Sequence, residues 1–525
     1  MKNINVLFIA LFIGNSLMAQ TVTEGLVAFE NSQYNKAKSI FFSLLDSKPE
    51  VSAEAYFHLT SVYEKLSKTD SADLILKRMV GAHPANPLTK IAEGKFYLYK
   101  KNVPAAKISF DEALKMTTNK DAKIMYWIAD SYLTVENPDG PSALTILNAA
   151  IKIDPKNATL YLLMGDAYKL DQSAGGPAIT NYEKVIEMNT LLAKANQRIG
   201  VVYSQARNLQ SSSDAFEKSI AADANFAPAY QDYALLNYNF KRYEKARELY
   251  EKFLSIADSN ELTLTRHVYI LFQVKDYQAA TQEINRLMQL DSSNNLLNRL
   301  LAYSYSEQKK DSVGLIYMKR FLSKVDSSKI IPLDYRYYGR MLSRTGNDSL
   351  GIDQLTLAIG YDSTDADMWQ DLGEALNRTK RYCDAANAFT QKLNVSKNPS
   401  ALDYFYLTKA YYYCKNYMAA DSSAQLIITL KPTSHIGWLW RGNSNAKIYP
   451  DDMEKAYPFY IKVSEISDSL GVKIPNNDAI TAYKFLGVFY IKKDDIEKAK
   501  SCYEKILLRD PKDQEAIDNL KRLKQ

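Results

Sequence analysis

A chain of 525 residues is too long for one compact core and would ordinarily divide into several domains, unless it is a solenoid whose parts bury apolar faces only against their neighbours. Glycine is scarce at 19 and tyrosine abundant at 38, and no long stretch alternates as strands do, which favours helices joined by short turns. Lysine plus arginine number 66 against 60 acidic residues, a net charge of +6 with no basic block, too thin an excess to mark a nucleic-acid-binding surface.

Residues 1–19 read as a signal peptide. Lys2 supplies the positive end, Val6 to Ile13 the apolar core, and Ala19 followed by Gln20 a cleavage site. The apolar run is broken at Gly14 to Ser16 and falls short of the roughly 20 residues that span a bilayer. No cysteine lies near the cleavage site, so a lipid anchor is not expected, and no later stretch reads as a transmembrane span.

From residue 20 onward a two-helix pattern recurs. Its clearest copy runs from Met368 to Asn394: Trp369, Leu372, Gly373 and Leu376 fall on one stripe of a first helix, and Ala385 and Phe389 on one stripe of a second. The same frame fits Ala37 and Phe41 near the start, Gly94, Tyr97, Ala106 and Phe110, then Gly165, Tyr168, Ala178 and Tyr182, then Gly200, Tyr203 and Phe216. It continues through Tyr230, Ala234, Ala246 and Tyr250, weakens around Leu264 and Ile284, and returns at Tyr305, Gly339, Leu355, Ala420 and Gly442. Fourteen candidate units arise in this way, their starts mostly 34 to 37 residues apart. The expected division is a solenoid over 20–466, an irregular insertion or hinge over 467–479 around Gly471 and Pro475, and over 480–525 a last unit with a polar-faced capping helix.

Catalytic signatures are not found: no Walker loop, GxSxG elbow, HExxH or dinucleotide-binding glycine pattern. His58, His83, His267 and His435 fall in separate hairpins, whereas a metal needs several converging ligands; neither metal nor cofactor is expected. Cys383, Cys414 and Cys502 lack the spacing of a disulfide framework or a zinc site and are expected to be small packed thiols. Asp451 with Asp452 and Asp494 with Asp495 precede helices, where carboxylates meet unpaired backbone donors.

The W, LG, A, F pattern of Met368 to Asn394, with Leu376 where the family's Tyr would stand and a spacing near 34, resembles the tetratricopeptide-repeat family, whose pattern is W, LG, Y, A, F. The resemblance covers essentially residues 20–525 and implies an all-α, right-handed superhelical solenoid whose first helices line a concave groove for a peptide or helix of another protein. In that frame the groove is lined by Tyr126, Trp127, Arg198, Arg266, Arg299, Arg336, Arg340, Phe405, Lys409 and Trp440. Arg299, Arg336 and Arg340 fall in successive units, where guanidiniums can take carboxylates. Phe405 and Trp440 offer the large apolar area that anchors interfaces. The Lys and Asn clamp with which some family members grip chaperone tails is replaced here, Leu439 and Phe405 standing where clamp residues would be. The chain is also similar to exported repeat proteins of Bacteroidetes-type bacteria. The expectation is therefore a non-enzymatic scaffold or adaptor of the periplasm or outer membrane, whose partner is an envelope-complex component or peptide segment. Such a complex would serve secretion, motility or uptake. A soluble peptide- or glycan-binding module is the alternative, and an enzyme comes last.

Overall fold

The structure, a computed structural model, describes residues 21–469 and 475–523; the expected signal peptide at 1–19 lies outside the described residues. Every regular element among them is helical, and the helices pair in chain order into fourteen hairpins, the number the repeated frame gives. They form two compact units, Met1–Leu290 and Asp291–Gln525. The first holds eight hairpins, from Val22–Glu30 with Tyr34–Ser43 to Glu261–Gln273 with Tyr277–Leu290. The second holds six, from Leu296–Glu307 with Asp311–Leu322 to Asn476–Lys492 with Ile496–Leu507, followed by the amphipathic helix Gln514–Arg522.

Local sequence sets most boundaries. Pro49, Pro87, Pro104, Pro141, Pro228 and Pro332 sit in first turns, where the missing N–H is no loss. Asn86, Asp121, Asn157 and Ser434 accept hydrogen bonds from the first free N–H groups of their helices. Asp452 and Asp495, one from each expected carboxylate pair, act as such caps. The turn inside the hairpin carries a second repeat invisible in residue type. Ser32, Ser67, Lys101, Arg207, Lys241, Lys275, Lys309, Lys380 and Lys415 all adopt left-handed backbone, φ between 56° and 67°. A glycine would sit there without steric cost. The conformation is held instead by paired turn bonds, such as Lys101 N–H to Leu98 O at 2.9 Å and Asn102 N–H to Tyr97 O at 2.9 Å.

Inside the hairpin, a ring from the second helix rests on a bare position of the first. A Cβ added to Gly373 would lie 2.5 Å from Phe389 Cε1, and the same collision arises between Gly25 and Phe41, Gly94 and Phe110, Gly165 and Tyr182, and Gly200 and Phe216. The small residue therefore makes room for a ring and not for the opposing backbone. The hairpin Pro332–Arg344 with Asp348–Tyr361 differs: an added Cβ on Gly339 would meet Gly351 O at 2.7 Å, so there the two backbones do meet.

First helices of consecutive hairpins pack against one another, as Pro49–Lys65, Pro87–Tyr99, Ala122–Leu133 and Ala158–Lys169 do, while second helices are spaced apart. The first helices therefore line the inner side of the curve. In the first unit the curve returns on itself. Lys194 pairs with Glu30 at 2.5 Å, Ala227 N–H donates to Asn31 Oδ1 at 2.9 Å, Asp258 N–H donates to Ser32 O at 3.0 Å, and Gln33 Nε2 donates to Ile256 O at 2.8 Å. The opening hairpin is thus tied to the sixth and seventh.

One expectation needs correction. Cys383 and Cys414, read as packed free thiols, form a disulfide with Cα atoms 5.0 Å apart across 31 residues of sequence. Stacking of the hairpins brings the start of Tyr382–Val395 beside the end of Ala401–Tyr413, a proximity no spacing rule for cysteines contains. Cys502 is free and buried, and burial pushes its thiol up to about 11. Of the expected insertion at 467–479 only the flanks are described: one helix runs through Ser469 and the next begins at Asn476, while residues 470–474, with Gly471, lie outside the described residues.

Gly373→Leu will lower stability by about 1–3 kcal/mol through overpacking against Phe389, read as a lower urea midpoint. Adding Phe389→Leu will restore part of the loss if the clash is with the ring.

Candidate functional site

The return of the opening hairpin makes a chamber on the inner side of the first unit. One wall is the helix Val22–Glu30, through Leu26, Val27 and Glu30; the opposite wall is built by Ala122–Leu133, Ala158–Lys169 and Leu192–Gln205. Two adjoining cavities of about 620 Å³ and 360 Å³ share Tyr126, Trp127, Asp130 and Arg198. Tyr126 and Asp130 are one helical turn apart on one face, with Trp127 beside them. Trp127 is edge-packed against Tyr126 at 4.8 Å, His58 at 5.0 Å and Phe57 at 5.2 Å between ring centres.

Charges around this chamber are mostly matched. Arg198 donates through Nε to Asp166 at 2.9 Å, and Tyr182 Oη donates to the same carboxylate at 2.9 Å. Burial opposes the Asp166 charge, yet Arg198, Lys169 and these hydrogen bonds hold its carboxyl below the usual range. Lys95 and Glu64 pair at 2.9 Å in nearly full burial, Lys123 pairs with Glu54, and Glu30 with Lys194. Burial, reinforced by Lys123 and Lys95, pushes the His58 ring down to about 3, so it stays neutral near neutral pH. Asp130 is different. Its carboxylate, the Tyr126 hydroxyl and the Trp127 indole N–H have no hydrogen-bond partner among the described residues. Burial pushes the Asp130 carboxyl above its usual range, Lys95 and Lys65 pulling it down and Asp166 and Glu64 adding to the rise.

The other expected groove residues divide sharply. Arg266 is exposed and makes no ion pair among the described residues; it borders a cavity of about 150 Å³ with Leu235, Tyr238 and Tyr269. In the second unit Arg299, Arg336 and Arg340 do not form a common cationic surface. Arg299 pairs with the fully buried Asp334 at 2.8 Å, Arg336 with Asp371 at 2.8 Å, and Arg340 with Glu307 at 2.7 Å. Each tie links first helices of consecutive hairpins, and the first two span the same 35 residues. Burial opposes the Arg336 charge, but Asp371, its hydrogen bond, Asp367 and Asp365 hold its pKa above the ordinary value. Trp440 meets Tyr412 at 5.3 Å and Phe405 at 6.3 Å, and the Lys409 ammonium lies 5.4 Å from the Phe405 ring centre. Phe405, Lys409 and Trp440 are therefore brought together, as Tyr126, Trp127 and Arg198 are in the first unit. Asp130 and the chamber wall of Leu26 and Glu30 were missed. Asp130 carried a signal, its place one turn after Tyr126; the wall carried none.

The remaining histidines are engaged apart from one another: His83 with Ser52 at 3.0 Å, His267 with Glu283 at 2.8 Å and Glu251 at 4.0 Å, and His435 with Asp478 at 2.9 Å. No group of three or more potential metal ligands occurs among the described residues. No described helix is long and apolar enough to cross a membrane.

These stacked hairpins define a class of repeat protein, and comparison agrees. The tetratricopeptide repeat family profile matches residues 227–260 and 480–513. Among solved structures, the C-terminal part of a TPR repeat-containing protein from Cytophaga hutchinsonii is 30% identical, with 49% of this chain and 98% of that one covered and a TM-score of 0.43. A chain of the APC/C hetero-tetramer Cut9–Hcn1 is 14% identical over 95% of each chain, TM-score 0.33. YrrB, described as a TPR protein with an unusual peptide-binding site, is 18% identical over 36% of this chain and 92% of that one, TM-score 0.30. No curated protein matches the chain, and no catalytic family is indicated. The chain belongs to the tetratricopeptide-repeat family.

Arg336→Ala will destabilise the second unit by about 3–5 kcal/mol, since it strands the buried Asp371 carboxylate; loss of the parent's melting temperature checks this. Asp130→Asn will stabilise the first unit at pH 7. The raised pKa means the folded state binds the Asp130 proton more tightly than the unfolded chain. The cost of ionising it is therefore absent below about pH 3.9 and complete above the folded pKa. Melting curves from pH 4 to 8 will show the variant's advantage shrinking toward the acid end.

Proposed function

We propose that this protein is an exported, non-enzymatic adaptor of the periplasm or outer membrane that holds a segment of a partner protein against its first helices. The complex it serves would be one for secretion, motility or uptake. The observation that carries this reading is the chamber of the first unit, whose aromatic and polar groups at Tyr126, Trp127 and Asp130 are left unmatched on the inner, first-helix side of the curve. The family's members bind peptides or proteins. Export draws support from the signal-like residues 1–19 and from the Cys383–Cys414 disulfide, a bond that persists in oxidising compartments and is rare in reducing ones. No bound cofactor belongs to this reading. A soluble peptide- or glycan-binding module is the second reading, favoured by the aromatic lining of the same chamber.

The test is expression in a Bacteroidetes-type host, cell fractionation, and mild crosslinking of the envelope, with Val27→Trp alongside. Val27 is 52% exposed and borders the chamber, so the ring will obstruct the cavity without disturbing the core. The expected result is a protein partner captured by the parent and lost with the variant, together with Cys383 and Cys414 that alkylate only after reduction. A cytosolic chain with both thiols free would overturn export, and capture untouched by Val27→Trp would move the interface out of the chamber.

A further inference from the structure

Resting on the segment-binding reading, we infer that the chamber of the first unit is selective for a basic side chain, the ammonium of a lysine or the guanidinium of an arginine, received between the Asp130 carboxylate and the Tyr126 and Trp127 rings. The argument is one of charge matching at close quarters. The acidic groups that share these cavities have internal cations: Glu30 has Lys194, Asp166 has Arg198, and Glu64 has Lys95. Asp130 has none within ion-pair distance, and its carboxylate makes no hydrogen bond among the described residues. A buried charge without a partner is costly, and an incoming cation removes that cost by supplying both charge and donors.

The surroundings sharpen the choice. Aromatic rings attract a cation through the negative potential of their faces, and Tyr126 and Trp127 border both cavities beside Asp130. His58 packs behind Trp127 at 5.0 Å between ring centres and is neutral, so it brings no competing positive charge. The Tyr126 hydroxyl oxygen adds a second acceptor. Lys65 is the one cation of the lining that makes no ion pair among the described residues; it stands at the last turn of Pro49–Lys65 and acts on Asp130 only at a distance. An anionic ligand would add repulsion, and a neutral donor would supply a hydrogen bond but no countercharge to the Asp130 carboxylate.

The test is calorimetric titration of the purified chain with three blocked pentapeptides, alanine throughout except for a central lysine, arginine or norleucine, and with cellohexaose as a glycan probe. Lysine or arginine peptides are expected to bind at least tenfold more tightly than the norleucine peptide. Asp130→Asn, which keeps the shape, is expected to reduce that preference below twofold while retaining the parent's melting behaviour at pH 7 or better. Lys65→Met is expected to keep the preference; its loss would mean that selection depends on Lys65, which overturns the assignment. Equal binding of lysine and norleucine peptides would also overturn it, but would leave segment binding intact. Binding of cellohexaose with none of the peptides would overturn both. If no probe binds, the cation assignment falls, and capture of a partner in the envelope decides the broader reading separately.

Discussion

An aromatic ring seated on a residue that has no side chain is the contact on which half of the fourteen hairpins depend. Where Phe41, Phe110, Tyr182, Phe216 or Phe389 leans from a second helix, the first helix offers Gly25, Gly94, Gly165, Gly200 or Gly373, and a single added carbon would fall within 2.4–2.7 Å of the ring. That arrangement fixes the distance and rotation of the two helices, because a buried ring has little freedom and a close-packed interior yields little. With the hairpin fixed, the first helices stack against one another, and the fall of charged and aromatic side chains on the inner face follows. The chamber of the first unit is the cumulative result of small rotations from one hairpin to the next.

The same stacking uses charge in two ways. In the second unit guanidiniums work as ties: Arg299 to Asp334 and Arg336 to Asp371 repeat one link at 35 residues. Such buried pairs add little net stability compared with apolar packing, but breaking one is expensive, so they hold the register between hairpins. In the first unit Arg198 does similar work for Asp166, and what is left over is the carboxylate of Asp130. The other acids that line the chamber, Glu30, Glu64 and Asp166, each have a cation, which makes the unpaired carboxylate informative. The structural arginines and the binding chamber thus come from one rule, that a first-helix polar residue looks toward the neighbouring first helix or toward the open side.

The repeated spacing was enough to give the all-helical class, the number of hairpins and their stripes, because each hairpin's core is local and a ring-and-glycine contact spans only 16 residues, as from Gly373 to Phe389. It also placed Tyr126, Trp127, Phe405 and Trp440 on inward-facing first helices, since a helical face is set by periodicity alone. The left-handed turn residues were legible only in part, for a lysine such as Lys241 carries no mark of the conformation that a glycine would have announced.

Everything that joins residues across hairpins required the tertiary structure. Whether Arg336 is free or paired depends on Asp371 standing opposite, and two helix faces with known stripes still leave that rotation open. Cys383 and Cys414 are neighbours because one hairpin stacks on the next, which no cysteine spacing encodes. The closing of the first unit, Glu30 to Lys194 and Asn31 to Ala227, sums the angles of many interfaces, each set by side-chain shape. The sequence by itself determined the repeated hairpin, because its physics is local; the tertiary structure decided the curvature, the pairing of charges and the chamber, because those are properties of the stack.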